Sequence, residues 1–183
     1  MTRSLRVFAA ASVIALLPTA AIGQTPPAPP KPSAEHQRLA YFVGKWTSVG
    51  EAKPSPMGPG GKFTTTDTCE WFEGRFAVVC RGEGKTPMGP MKNLGLMSYS
   101  AEQKVYTYYA VDNSGMTMAS VAKGTVKGDT WTFTDESEMG GQKIKMMVTV
   151  REVSPTEYTF RMEVQGPDGK SMPIMEAKNT KMK

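Results

Sequence analysis

The feature that most constrains the fold is an alternation of apolar and polar residues within short runs. In the run from residue 142 to 152, apolar side chains occupy positions 144, 146, 148 and 150, and mostly charged or polar side chains occupy the positions between them. The run from 157 to 165 repeats the pattern. Because successive residues of a strand point to opposite faces of a sheet, such runs predict strands with one dry and one wet face.

About ten runs of this kind follow residue 44, each ended by glycine, proline, asparagine or aspartate. The predicted strands cover residues 45–53, 62–72, 75–83, 93–100, 104–112, 116–126, 129–136, 142–152, 157–165 and 171–180. Short connections favour antiparallel pairing of consecutive strands, and closing the sheet removes its exposed edges. The sequence therefore predicts an all-β fold, an up-and-down antiparallel β-barrel, with a two-sheet sandwich as the alternative.

The first 33 residues have a different character. Arg3 and Arg6 precede an apolar run over residues 7–17, and small residues follow at Ala21 and Gly23. This pattern predicts a signal peptide over residues 1–23, because the apolar run is too short for a membrane-spanning helix. A proline-rich linker over residues 24–33 and a barrel domain over residues 34–183 complete the chain. We expect a periplasmic or secreted protein with no membrane span after cleavage.

A short helix is predicted between Ser33, a suitable N-cap, and Gly44. The connections after even-numbered strands all lie at one end of the predicted barrel. The helix enters the first strand from that end. Those connections are tight, whereas the connections after odd-numbered strands are longer or rich in glycine. The helix is therefore expected to close the tight end of the barrel and to leave the other end as a mouth.

The segments HQRLAYFVGKWTSVGE, CEWFEGRFAVVC, NLGLMSYSAEQKVYTYYAVDNSG and KGTVKGDTWTF occur in this order along the chain. In these segments the sequence resembles the bacterial family called domain of unknown function 1579. The resemblance covers the chain from His36 to its end, and it implies a lipocalin-like, calycin-type barrel. It implies no established chemistry.

Methionine gathers in the odd-side connections, and the whole chain has 14 methionines. Flexible thioethers adapt to apolar ligands of different shapes, which favours a pocket for a small hydrophobic molecule. The alternative is that the same side chains fill a narrow barrel. The candidate pocket and mouth residues are Met57, Met88, Met91, Tyr108, Met116, Trp131, Met139, Met146, Phe160 and Met162.

Two other binding functions are compatible with the residues. Thioether sulfur binds Cu(I), so Met88, Met91, Met116 and Met118 are alternative copper ligands, although no histidine lies near them. Haem binding is disfavoured because the single histidine, His36, is expected at the surface of the helix. A third function is an envelope protein-interaction module that uses whichever of four tyrosines face outward: Tyr99, Tyr106, Tyr108 and Tyr109.

Cys69 and Cys80 flank a predicted hairpin turn near Glu73 and Gly74. In an oxidising compartment two cysteines on adjacent strands normally form a disulfide. A redox pair is disfavoured because the Cys-x-x-Cys spacing at a helix start is absent.

The residues favour a protein that is not an enzyme. A serine or cysteine nucleophile needs a positioned imidazole, and His36 lies on the helix. The carboxylates that could form an acid pair are expected at solvated strand ends: Asp67, Glu70, Asp135, Glu136 and Glu138. The net charge is +5 and the lysines are scattered, which disfavours nucleic acid as a partner.

Overall fold

The computed structural model describes residues 30–55, 58–114, 121–139, 142–166 and 169–183. The predicted signal peptide and nearly all of the predicted linker lie outside these residues. So do Met57, Met116 and Met118. Within the described ranges, no helix has the length and apolarity that a membrane crossing requires.

A short helix precedes the barrel and packs one side against it. Helix α1 covers Ala34–Arg38 and continues as a 3₁₀ turn over Leu39–Phe42. Leu39 and Phe42 are buried, and the chain leaves the helix at Gly44, whose φ of 127° a side chain would disfavour. The helix predicted between Ser33 and Gly44 is present.

Ten strands follow the helix and close into one antiparallel barrel, in which each strand pairs with its neighbours in the chain and β1 pairs with β10. The strands are β1 Gly44–Ala52, β2 Gly61–Trp71, β3 Ala77–Thr86, β4 Gly89–Ser100, β5 Val105–Asp112, β6 Ala122–Lys127, β7 Thr130–Met139, β8 Gln142–Ser154, β9 Glu157–Gln165 and β10 Ser171–Lys181. The predicted up-and-down barrel is confirmed, and the sandwich alternative is wrong.

The hairpin between β3 and β4 is longer than the sequence pattern predicted. Only Pro87 and Met88 separate the two strands, and Thr86 Oγ1 accepts a hydrogen bond from the Met88 amide at 3.2 Å. Gly89 has a φ of 110°, so the chain can reverse here and continue the ladder at once. Most of residues 85–92, which lie between the predicted strands 75–83 and 93–100, is therefore strand.

The helix closes one end of the barrel, as predicted. The Tyr41 hydroxyl lies 2.8 Å from the carbonyl oxygens of Ser154 and Glu157 in the β8–β9 turn. Arg38 donates to the carbonyl of Gly128 in the β6–β7 turn at 3.4 Å. Both turns follow even-numbered strands. We call α1 with the following 3₁₀ turn the plug, and we call the opposite end of the barrel the far end.

The predicted disulfide joins Cys69 on β2 to Cys80 on β3, with 2.03 Å between the sulfur atoms. The two residues are direct partners in the β2–β3 ladder, so their side chains share one face, and the burial of Cys69 identifies it as the inner face. Cys69 belongs to the hydrophobic core, together with Leu39 and Phe42 of the plug. The disulfide therefore lies at the closed end of the barrel.

Candidate ligand-binding site

Inward-facing side chains differ in burial between the two ends of the barrel. On β8 and β9, the pairs Val148–Met162 and Met146–Val164 face the interior, together with Phe160. All five side chains are only half-buried, whereas most inward side chains beside the plug are fully buried. The inward side chains beyond the plug are therefore less completely buried, and they form the inner apolar surface of the barrel. We call this inner surface the lumen.

Trp131 is a candidate pocket residue that does not line the lumen. It is fully buried, with the Phe42 and Tyr106 rings centred 5.0 and 4.8 Å away. Its indole N–H donates to Glu152 at 2.6 Å, and the same carboxylate forms an ion pair with Arg38 at 2.7 Å. Trp131 is therefore part of the contact between the plug and β7, where no surface is left for a ligand.

The candidate methionines lie in different environments. Met88 is 55% exposed in the β3–β4 turn, and its Sδ would lie 3.1 Å from a Cβ atom placed on Gly58 in the β1–β2 connection. Met91 is opposite Gly84 in the ladder, on the inner face of β4. Met139 is the last residue of β7 and reaches the far end. Met88 and Met91 thus have different surroundings, and nothing described brings them together as copper ligands.

Among the residues that the structure describes, no three histidine, cysteine, aspartate or glutamate side chains form a group that could hold a metal ion.

A group of polar side chains lies on the inner wall between the plug and the far end. Asp67 on β2, Gly82 on β3 and Asn93 on β4 are successive partners across the sheet. Carboxylate Oδ1 of Asp67 and amide Oδ1 of Asn93 both occupy the space that a side chain on Gly82 would need. The glycine therefore allows the two oxygens to approach the same point of the wall.

Two tyrosines extend this polar group. The Tyr108 hydroxyl lies 3.2 Å from the position of a Cβ atom on Gly95, on the inner face of β4. The Tyr158 ring packs on Trp46 with 4.8 Å between the ring centres and lies 5.9 Å from the ring centre of Phe42, so it borders the plug. We call Asp67, Asn93, Tyr108 and Tyr158 the polar floor.

Burial dominates the electrostatics of the polar floor. It raises the pKa of the Asp67 carboxyl, because a charge is poorly solvated inside the barrel. Burial and then the Asp67 charge raise the pKa of Tyr108 to about 12. The pKa of Tyr158 is raised by burial and then by Asp67, Tyr108 and Tyr41. The strand register places Asp67, Tyr108 and Tyr158 on inward-facing positions, in agreement with the effect of the Asp67 charge on both phenols.

One acceptor of the polar floor has no protein partner. Oδ1 of Asn93 is buried, and no hydrogen-bond donor reaches it within the described ranges. Nδ2 of Asn179, opposite Tyr158 on β10, is likewise buried and unpaired there. Since buried polar groups are normally hydrogen-bonded, these atoms indicate where a further molecule could bind.

The comparisons with known proteins concern the family and the fold. A family model described as a protein of unknown function, DUF1579, matches residues 31–181. The chain belongs to the DUF1579 family. No curated protein matches the sequence significantly.

Two solved structures share the barrel of this DUF1579 member. Rv2717c from M. tuberculosis has a TM-score of 0.58 and 11% identity, and the match covers 84% of this chain and 100% of that chain. The S-type phycobiliprotein lyase CPES from Guillardia theta has a TM-score of 0.55 and 10% identity, with 82% and 94% covered. At these identities the likeness concerns the fold.

The structure corrects the expectation that the carboxylates are solvated. Asp67 faces the interior and Asp135 is buried, whereas Glu70 and Glu136 are exposed on the outer face. Neighbouring acids in these strands therefore point to opposite sides and form no acid pair. The signal was present in the sequence, because Asp67 shares its strand face with Cys69.

His36 was also expected at the surface, and that expectation is wrong. Its ring is buried, with the ring centres of Phe76 and Tyr99 at 5.1 and 5.5 Å. The Ser33 amide donates to His36 Nδ1 at 3.2 Å, so the imidazole holds the start of the helix. Its role in the fold is to anchor the plug.

Three of the four tyrosines considered for an outer patch face inward: Tyr99, Tyr106 and Tyr108. Tyr109 faces outward, opposite Leu96. Leu94 and Leu96 on the outer face of β4 are 43% and 44% exposed, and Val121 is 48% exposed. The outer apolar surface is therefore largely aliphatic.

Proposed function

We propose that this DUF1579 protein is a non-catalytic binding protein that holds a small, largely apolar molecule in the lumen. The observation that carries the proposal is the half-buried state of Phe160, Met162 and their inward-facing neighbours. Register points these side chains into a closed barrel, yet they are only partly buried there. An apolar wall with a few polar groups is the usual composition of a small-molecule site.

The fixed plug supports one direction of approach for the ligand. Tyr41, Arg38 and the buried Leu39 hold the plug to the closed end of the barrel. A ligand would therefore enter from the far end, where Met88 is exposed. Because a methionine side chain has three rotatable bonds, it can adapt to the shape of a passing or bound molecule.

We place this binding outside the cytoplasm, in the periplasm or the secreted fraction. The signal-like pattern over residues 1–23 supports that placement, and so does the disulfide between Cys69 and Cys80. Cell fractionation combined with N-terminal sequencing tests it. A mature protein that begins near Gln24 is the expected result, and an uncleaved cytoplasmic chain would contradict it.

Titration with a fluorescent apolar probe tests the binding function. Wild-type protein should bind the probe at micromolar concentration. Met162→Trp should weaken binding about tenfold or more, because a larger side chain fills the lumen. The matched control is Thr159→Trp, an exposed position on the outer face of the same strand, which should leave binding unchanged.

Circular dichroism and the melting temperature establish that both variants fold. If the wild-type protein binds none of several apolar probes, the binding function is wrong. Equal weakening by Met162→Trp and Thr159→Trp would place the probe on the outer surface instead.

A second candidate function is protein interaction through the outer face of the barrel. Leu94, Leu96 and Val121 support it, because they are large apolar side chains in solvent. Light scattering at several concentrations, with Leu96→Lys as the variant, tests for self-association. Wild-type protein should associate and the variant should remain monomeric, whereas a monomeric wild type at all concentrations counts against self-association.

A further inference from the structure

We infer that the lumen binds the polar end of its ligand against Asp67 and Asn93, and that it selects head groups that donate hydrogen bonds and carry no negative charge. Alcohols and ammonium groups are of this kind. The inference rests on the proposed function, because it concerns the same lumen.

The positions of the Asp67 and Asn93 side-chain oxygens support this inference. Oδ1 of Asp67 and Oδ1 of Asn93 share the space above Gly82, so two hydrogen-bond acceptors lie side by side on the inner wall. Oδ1 of Asn93 has no partner in the described part of the chain. When Asp67 is ionised, a donor placed between these oxygens would bind both, and it would remove the desolvation cost of the unpaired amide oxygen.

The two tyrosines widen the range of neutral head groups that fit. A phenol hydroxyl both donates and accepts, so Tyr108 or Tyr158 can donate to the oxygen of a ligand alcohol while its hydrogen points to Asp67 or Asn93. At neutral pH both phenols keep their protons, because burial raises the pKa of each. The polar floor can therefore satisfy a hydroxyl group completely.

The charges on the inner wall disfavour an anion. Asp112 on β5 is opposite Asn93, so a second carboxyl group lies on the same inner wall. The inward cation of β10, Lys181, has its Nζ 5.1 Å from the Trp46 ring centre and 3.4 Å from the position of a Cβ atom on Gly44, where the plug joins β1. A ligand carboxylate would thus meet acceptors and acids rather than a cation, and an anion buried without a counter-charge binds poorly.

An ammonium ligand has one further consequence. Burial raises the pKa of Asp67 in the free protein, and a cation beside the carboxyl would favour its ionised form. Binding of an ammonium would therefore release the Asp67 proton to the buffer, at any pH where the free protein keeps that proton. Binding of the matching alcohol would release none.

The test uses three ligands with one alkyl chain and different ends: a primary alcohol, a primary ammonium and a carboxylate. Each competes with the apolar fluorescent probe on wild-type protein. The alcohol and the ammonium should bind at least about tenfold tighter than the carboxylate, which corresponds to the loss of one hydrogen bond to a charged or buried group.

Asp67→Asn separates the contributions of charge and shape. It should weaken ammonium binding about tenfold and change alcohol binding by less than about threefold, because the amide keeps an acceptor but loses the charge. Glu70→Gln, exposed on the outer face of the same strand, is the matched control and should change neither. Asn93→Leu is a second variant, expected to weaken the alcohol.

The outcomes separate this inference from the proposed function. A carboxylate that binds as tightly as the alcohol, or an unchanged ratio of ammonium to alcohol affinity in Asp67→Asn, overturns the inference while lumen binding stands. If neither the probe nor any of the three ligands binds, the proposed function itself is wrong.

Discussion

Replacing Gly50 with alanine tests the closure of the barrel. Gly50 lies on β1, opposite Phe63 of β2 and Ala177 of β10, at the seam where the last strand meets the first. A Cβ atom on Gly50 would collide with the carbonyl oxygen of Glu176. It would also lie 2.6 Å from the Phe63 ring and 2.8 Å from the Ala177 Cβ atom.

The carbonyl oxygen of Glu176 determines how much stability the Gly50→Ala variant loses. It cannot move without disturbing the β1–β10 ladder, so the collision belongs at the upper end of the usual overpacking range of about 1–3 kcal/mol. Alanine also restricts the unfolded chain, which offsets about 0.4–1 kcal/mol. We expect the free energy of unfolding to fall by about 2 kcal/mol, which lowers the melting temperature by roughly 4–8 °C for a domain of this size.

Gly82→Ala is the matched control, since it makes the same substitution at another inward-facing glycine. There the Cβ atom would meet mainly the ends of the Asn93 and Asp67 side chains, which can rotate away. We expect the loss in unfolding free energy to stay below about 1 kcal/mol. Urea denaturation of both variants provides the measurement. Equal losses in the two variants, or no loss in Gly50→Ala, would refute the reasoning about the seam.

Three further predictions concern the disulfide, the polar floor and the plug. Removing the disulfide by Cys69→Ala with Cys80→Ala should lower the free energy of unfolding by about 3 kcal/mol, given a sequence separation of 11 residues; urea denaturation with an unchanged midpoint would argue against this. Burial raises the pKa of Asp67, so the folded state keeps a proton that the unfolded state releases above its ordinary pKa of 3.8. Asp67→Asn should therefore raise the melting temperature at neutral pH, and this gain should vanish as the pH falls below that ordinary pKa; a gain that does not depend on pH would contradict it. Glu152→Ala leaves the buried Trp131 N–H without its acceptor and should lower the free energy of unfolding by about 1–3 kcal/mol, while Glu152→Gln should recover most of the loss in the same denaturation assay.

The number of strands, their order and the side of the sheet to which each side chain points were predictable from the residues. Each residue of a strand points to the side opposite to its neighbours in the chain. The alternation that includes Met146 and Val148 therefore shows, from local sequence, which side chains share a face. The pairing of Cys69 with Cys80 was predictable for the same reason, since a hairpin places strand partners opposite each other. Short connections then left little freedom in how the strands could be ordered.

The sequence by itself thus determined a closed meander with a plug at one end, and the tertiary structure alone decided what lies inside it. Alternation indicates the inner face of a strand, but depth within the barrel depends on neighbours far away in the chain. Trp131 is therefore core rather than lumen wall, and His36 is buried by Phe76 and Tyr99 rather than exposed. The polar floor also depends on contacts between distant parts of the chain. Asp67 and Asn93 come together because β2 and β4 both pair with β3 at Gly82.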